Sequence, residues 1–251
     1  MTAFAATGRA GLALTAAEIM DKAVKRSDEV RKLHATNAVS YTKVTSQEDI
    51  DSSGELKERK DKTYKVEVRE GLSYLTLVQL NGQQLTSAEQ KRENQKETER
   101  RNKMRGSENK KGGDDRENFL TAELVSKYDF TLLGTTNILG RNSYCLTFEP
   151  KKGLKISQIA DRLVNNIYGE VWIDDGDFEI ARAELHLKSE VTLWGGMLAS
   201  LKKFSFEIQR TPFNGLWLNT YSQGEFEGRK LLDTVRMKTR SESRDFKPLG
   251  A

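Results

Sequence analysis

The sequence predicts an α+β fold: an antiparallel sheet with one apolar face, covered by amphipathic helices. Three observations carry that reading. First, the stretch Tyr168 to Val191 falls into two runs separated by Asp174-Asp175-Gly176-Asp177, turn residues that reverse a backbone at little steric cost. In the second run Ala181, Ala183, Leu185 and Leu187 alternate with Arg182, Glu184, His186 and Lys188, while Val171 and Ile173 share a face of the first. Period two over that length describes a strand with one dry and one wet face. Second, three strand-like runs between Asn37 and Leu80 follow one another through short turns, which makes an antiparallel meander. Third, Thr15-Ala16-Ala17-Glu18 is a capping box at the head of a helix with one apolar stripe.

Residues 1–14 are small and Ala/Gly-rich, a flexible N-terminal arm, and residues 15–247 read as a single domain with a tail at 248–251. The first helix, about 16–33, places Ile19, Met20, Ala23, Val24, Val30 and Leu33 along one stripe and charges on the rest, so it seeks an apolar surface. The meander has reversals at Ser52-Ser53-Gly54 and Glu70-Gly71 and ends at the Asn81-Gly82 turn. A second capping box, Thr86-Ser87-Ala88-Glu89, opens a helix to about 105 with almost no apolar residue before Met104. A helix without a dry face is not held by packing, so the charged insertion 86–117 is expected to project into water. It reads either as a basic arm for phosphate, lipid headgroups or a partner, or as a solvated insertion.

Further on, the pattern predicts a short helix within Asn118–Tyr128, strands at Tyr128–Thr135 and Gly140–Glu149, and an amphipathic helix over Ile156–Ile167. The hairpin follows. Leu193 to Leu201 is the most apolar connection in the chain, with two glycines and no charge. Strands at 202–210 and 216–221 come next, and Phe226–Arg240 is read as the last strand, with broken alternation at Leu231, Thr234 and Met237 predicting a bulge or bend.

Composition narrows the function. Charged residues are 31% and hydrophobic ones 36% of 251, and the net charge is +4. Between Glu89 and Lys111 nine basic residues face five acidic ones, an excess equal to that of the whole chain. The sheet is therefore neutral, which argues against a nucleic-acid surface. Cys145 is the only cysteine and sits in an apolar run, where a small buried residue is the simpler reading than a reactive thiol. No apolar run is long enough to cross a bilayer. Ala3-Phe4-Ala5 fits a signal-peptidase triplet, but neither a basic nor a hydrophobic region precedes it, so an export signal is expected to be absent or truncated.

Catalytic patterns are missing. His34 and His186 have no partner at ligand spacing, so no metal site is expected. No nucleophile elbow, phosphate loop or dinucleotide fingerprint occurs. A calcium loop started at Asp174 would need its bidentate glutamate where Leu185 stands. The chain is thus expected to be no enzyme and to carry no cofactor.

The order AEIMDKAV (17–24), LNGQQLTSAE (80–89), LLGTTNILGRNSYCLTFEPKKG (132–153), GEVWIDDGDFEIARAEL (169–185) and WGGMLASLKK (194–203) resembles bacterial outer-membrane lipoprotein-sorting proteins, the periplasmic carriers of the LolA/LolB-like superfamily. The resemblance covers about 15–247. It implies a strongly curved antiparallel sheet, an incomplete β-barrel with helices covering the concave face, and a hollow that binds acyl chains of lipoproteins or lipids. It further implies a periplasmic, monomeric carrier served by membrane-bound donor and acceptor proteins. The alternative is a periplasmic sensor that uses the same half-barrel to recognise a protein partner.

A curved sheet of alternating side chains presents a concave apolar wall. In that scheme Val171, Ile173, Leu185, Leu187, Phe206 and Ile208 line the wall, and Trp194, Met197, Leu198 and Leu201 form a greasy lip; ordinary core packing is the alternative for each.

Overall fold

The computed structural model describes residues 14–34, 37–69, 72–108, 120–156, 159–194, 199–230 and 233–249. The elements run α1 (Ala16–His34), β1 (Val39–Ile50), β2 (Leu56–Arg69), β3 (Leu72–Leu80), β4 (Gln83–Gln84), α2 (Ser87–Glu108), α3 (Ala122–Ser126), β5 (Tyr128–Ile138) and β6 (Arg141–Pro150). They continue with α4 (Ile159–Val164), β7 (Ile167–Asp174), β8 (Ile180–Leu187), β9 (Val191–Trp194), β10 (Ala199–Phe213), β11 (Leu216–Lys230) and β12 (Asp233–Pro248). All strands belong to one antiparallel sheet, ordered β4-β3-β2-β1-β12-β11-β10-β8-β7-β6-β5 with β9 on β10, and the ends do not meet. The result is a curved, open half-barrel with helices on one face. The β1–β12 pairing ties the first strand to the last, from Val39↔Pro248 to Ile50↔Arg236.

Local chemistry sets the reversals. Asn81-Gly82 and Asn214-Gly215 hold φ of 50° and 77°, and of 51° and 76°, the two left-handed residues of a hairpin turn whose twist matches its strands. Both capping boxes close: the Glu18 and Glu89 carboxylates accept from the backbone N–H of Thr15 and Thr86 at 2.8 Å, and each threonine hydroxyl accepts the returning N–H at 3.3 Å.

Helix α1 is the strut across the curve. Its first turns bury Ile19, Met20 and Ala23 against Leu146, Val171 and Ile173 of β6 and β7. Its later turns bury Val30 against Val39, Val66, Val68, Leu216 and Leu218 of β1, β2 and β11. Burying each large aliphatic side chain contributes about 1.5–3 kcal/mol, so one helix joins both halves of the sheet.

Three sequence expectations need correction. Helix α2 does not project into water; it lies along β3 and serves that strand's free edge with polar side chains. Gln90 Nε2 donates to the Leu77 carbonyl at 3.3 Å, Glu97 Oε1 accepts the Leu75 N–H at 3.1 Å, and Arg100 Nη2 donates to the Ser73 carbonyl at 2.6 Å. Residues 73, 75 and 77 alternate along the edge, so α2 takes the groups that a neighbouring strand would take, one of the ways proteins cover an edge. The amphipathic helix expected over Ile156–Ile167 contracts to α4, because Ile156 is exposed and Ile167 already opens β7. The last strand is not Phe226–Arg240: β11 runs through Phe226 to Lys230 and β12 starts at Asp233, so the broken alternation marks a reversal between two strands. The arm at 1–13 and most of the loop expected at 106–117 lie outside the described residues.

Candidate functional site

Strand register builds an apolar hollow on the helix-bearing face. One row across the sheet reads Leu146, Val171, Ala183, Ile208; the next reads Phe130, Phe148, Gly169, Leu185, Phe206. Each row contains one small member among large ones, Ala183 in the first and Gly169 in the second, and space remains above Ala183. A Cβ on Gly169 would stand 1.8 Å from the Glu184 carbonyl oxygen and 3.1 Å from Phe148 Cζ, so a side chain is excluded there by backbone as well as by ring.

The space is a cavity of about 160 Å³. Val171, Ala183, Leu185, Phe206 and Ile208 form its sheet wall, and Tyr128, Phe130 and Phe148 an aromatic end. Phe148 meets Tyr128 edge-on at 5.3 Å and Phe130 tilted at 6.2 Å. The Tyr128 hydroxyl donates to the Val164 carbonyl at 3.0 Å, and burial pushes its pKa up to about 12. It therefore stays neutral over the physiological range.

The roof is thin. Met20 of α1 contributes to it, with Leu120, Leu124 and Val125 at α3. Helix α3 is five residues long, capped by Thr121, whose hydroxyl accepts the Leu124 N–H at 3.1 Å, and it contains no buried residue. Between α1 and α3 a cleft of about 420 Å³ runs past Ala17, Val24 and Ala122, and it shares Met20, Val125, Tyr128 and Phe130 with the cavity. Those four side chains line both cleft and cavity.

Among the described residues a single charged one, Arg210, lines the hollow. Its guanidinium donates to Glu179 Oε2 at 3.1 Å and to the Trp217 carbonyl at 2.8 Å, and Glu179 Oε1 lies 3.5 Å from Arg26 Nε of α1. Arg210 and Glu179 are each 6% exposed, so removal of either partner would strand a buried charge at a cost of about 3–5 kcal/mol. The triad fastens α1 over the β8–β10 end of the cavity.

Next to it the β7–β8 turn is locked. Asp174 is buried and binds the Arg141 fork through both oxygens, at 2.7 and 2.8 Å, while accepting N–H groups from Gly176 and Asp177. Burial opposes ionisation of Asp174, but the Arg141 hydrogen bonds and the Asp177 and Gly176 N–H groups outweigh it and hold the carboxyl below its ordinary value. Asp177 in turn accepts from Arg141 and from Trp217 Nε1.

Four of the residues singled out from sequence line the cavity: Val171, Leu185, Phe206 and Ile208. Ile173 lies fully buried beneath α1 in packed core. Leu187 pairs with Ile167 at the end of β8, and Leu201 with Val191 and Gly228 at the far end of β10; neither belongs to the lining. Met197 and Leu198 lie outside the described residues, as does the Trp194 side chain. Sequence reasoning missed Met20, Leu124, Val125, Tyr128, Phe130, Phe148 and Arg210 as neighbours of this hollow. Apart from Arg210 their apolar character was visible; the strand register and helix placement that collect them were not.

Among the described residues no cluster of three or more His, Cys, Asp or Glu is arranged to hold a metal, and no helix is long and apolar enough to cross a membrane. Burial, with Glu170 and Glu184 nearby, pushes the Cys145 thiol up, away from the thiolate form.

No family model matches the chain, and no curated protein matches it. Among solved structures it is similar to a DUF1329 family protein from Desulfovibrio piger, with TM-score 0.35, 14% identity and 93% of each chain covered. A putative outer membrane lipoprotein-sorting protein domain from Vibrio parahaemolyticus gives TM-score 0.32 and 12% identity over 92% of this chain and 94% of that one. A LolA superfamily protein from Nitrosomonas europaea gives TM-score 0.29 and 14% identity over 94% of each chain.

Proposed function

We propose that this protein is a non-catalytic periplasmic carrier that takes the acyl chain of a lipid or lipoprotein into the cavity under α1 and α3. The observation that supports the reading is the cavity itself: an apolar hollow whose one lining charge is already paired, roofed by a helix with no buried residue. A dry apolar cavity of about 150 Å³ takes a molecule the size of benzene. At about 160 Å³ the hollow as it stands holds a short run of methylenes, and drug-sized ligands need about 300 Å³ or more. A longer chain requires α3 to lift and join the cavity to the cleft beside α1. Each buried methylene contributes about 0.8 kcal/mol, enough for a chain to hold the roof open. Access thus runs between α1 and α3.

The protein purified from its native compartment and extracted with organic solvent should release lipid in about equimolar amount. Ala183→Trp, which fills the hollow, should release none while keeping the wild-type circular dichroism. A lipid-free wild-type protein, or one whose lipid survives Ala183→Trp, contradicts the proposal.

A further inference from the structure

The geometry points to a second site, on the other half of the sheet, for the anionic head of a single amphiphile. Helix α2 does not lie flush on the sheet. Between it and β1, β2 and β3 a pocket of about 440 Å³ remains, and none of its lining residues is shared with the cavity under α3. Its floor is apolar: Leu77, Leu80 and Leu85. Its rim is cationic, with Lys60 and Lys62 from β2 and Arg92 and Lys96 from α2.

The two carboxylates in the lining, Glu89 and Glu93, are engaged. Glu89 closes the capping box with Thr86, whose N–H and hydroxyl hold its carboxyl below the ordinary value. Glu93 pairs with Lys96 at 2.5 Å, and Lys60 pairs with Glu58 at 2.7 Å. Among the described residues neither Lys62 nor Arg92 forms an ion pair. Arg92 helps to lower the Glu89 carboxyl without contacting it, so two cations with no ion-pair contact stand above three leucines, a match for a molecule with an acidic head and the start of an alkyl tail. A phosphate monoester or carboxylate takes charge-assisted hydrogen bonds from both cations, and the first methylenes cover the leucines. This inference is independent of the carrier reading.

The test titrates the full chain with lauryl phosphate, lauryl alcohol and inorganic phosphate, each below any micelle concentration, and separately with phosphatidylglycerol vesicles. Lauryl phosphate should bind the wild type, and Lys62→Gln/Arg92→Gln should weaken it by at least about tenfold without altering lauryl alcohol binding or the melting temperature. Ala183→Trp, which blocks the other cavity, should leave this Lys62/Arg92-dependent binding in place, so failure of one site is distinguishable from failure of the other. Equal lauryl phosphate affinity in the double variant overturns the inference. So does inorganic phosphate binding as tightly as lauryl phosphate, which means a bare anion site. Binding of vesicles alone overturns it as well, since that is a membrane surface.

Discussion

Asp174 shows what one residue does here: it is a buried charge made tolerable by an arginine fork and two backbone N–H groups. Its folded pKa lies below the unfolded value of about 3.9, so between the two the unfolded chain carries the extra proton. The stability it contributes is complete above the unfolded value and drains as pH falls through the folded one. Arg141→Ala should lower stability at neutral pH by about 2 kcal/mol, less than for a fully buried pair, because Arg141 is 40% exposed. It should also move the acid unfolding midpoint to higher pH. An unchanged midpoint in a pH series of urea melts contradicts this. Gly169 makes the steric case. Gly169→Ala sets a methyl 1.8 Å from the Glu184 carbonyl and should cost at least about 3 kcal/mol by separating β7 from β8. The control is Gly176→Ala, whose nearest contact is 3.4 Å; it should cost less than about 1 kcal/mol, both being read from denaturant midpoints.

At the scale of elements, α2 is the instructive case. Its sequence has no apolar stripe, and that absence predicted a helix with nothing to pack on. The structure supplies another reason to stay: the β3 edge has unpaired backbone groups, and Gln90, Glu97 and Arg100 meet them. Periodicity arguments see only apolar burial, so this attachment was illegible. Glu97→Leu should therefore speed hydrogen exchange at the Leu75 amide by about tenfold, whereas Glu97→Gln keeps an acceptor oxygen and protection. Equal protection in wild type and Glu97→Leu contradicts edge capping. The capping boxes at Thr15 and Thr86, the Asn-Gly turns and the alternation from Ala181 to Leu187 were all readable, because each depends on neighbours close in sequence. Where a boundary depends on distant partners, reading failed: Ile156 and Ile167 kept a helical spacing yet belong to a loop and a strand.

The whole molecule is a half-barrel spanned by one helix, and its openness follows from where large and small side chains meet. Val171, Leu185, Phe206 and Ile208 could be placed on one face from sequence, since strand alternation sorts faces. The roof could not. Met20, Leu124 and Val125 come from two helices distant in the chain, and Arg210 carries a charge that alternation alone would have sent to water. Its partner Glu179 sits outside any strand pattern, so the buried pair emerges only when β8 is paired with β10. The same geometry leaves α3, with no buried residue, as the least buried part of the roof.

The most direct measurement of the central claim is a titration with the neutral dye N-phenylnaphthylamine, followed by displacement with lauryl alcohol. The wild type should enhance the dye's fluorescence at about one site per chain and lose that signal to the alcohol, while Ala183→Trp, folded to the same melting temperature, should show neither. Equal enhancement in Ala183→Trp would place the dye elsewhere and contradict a ligand hollow beneath α1 and α3.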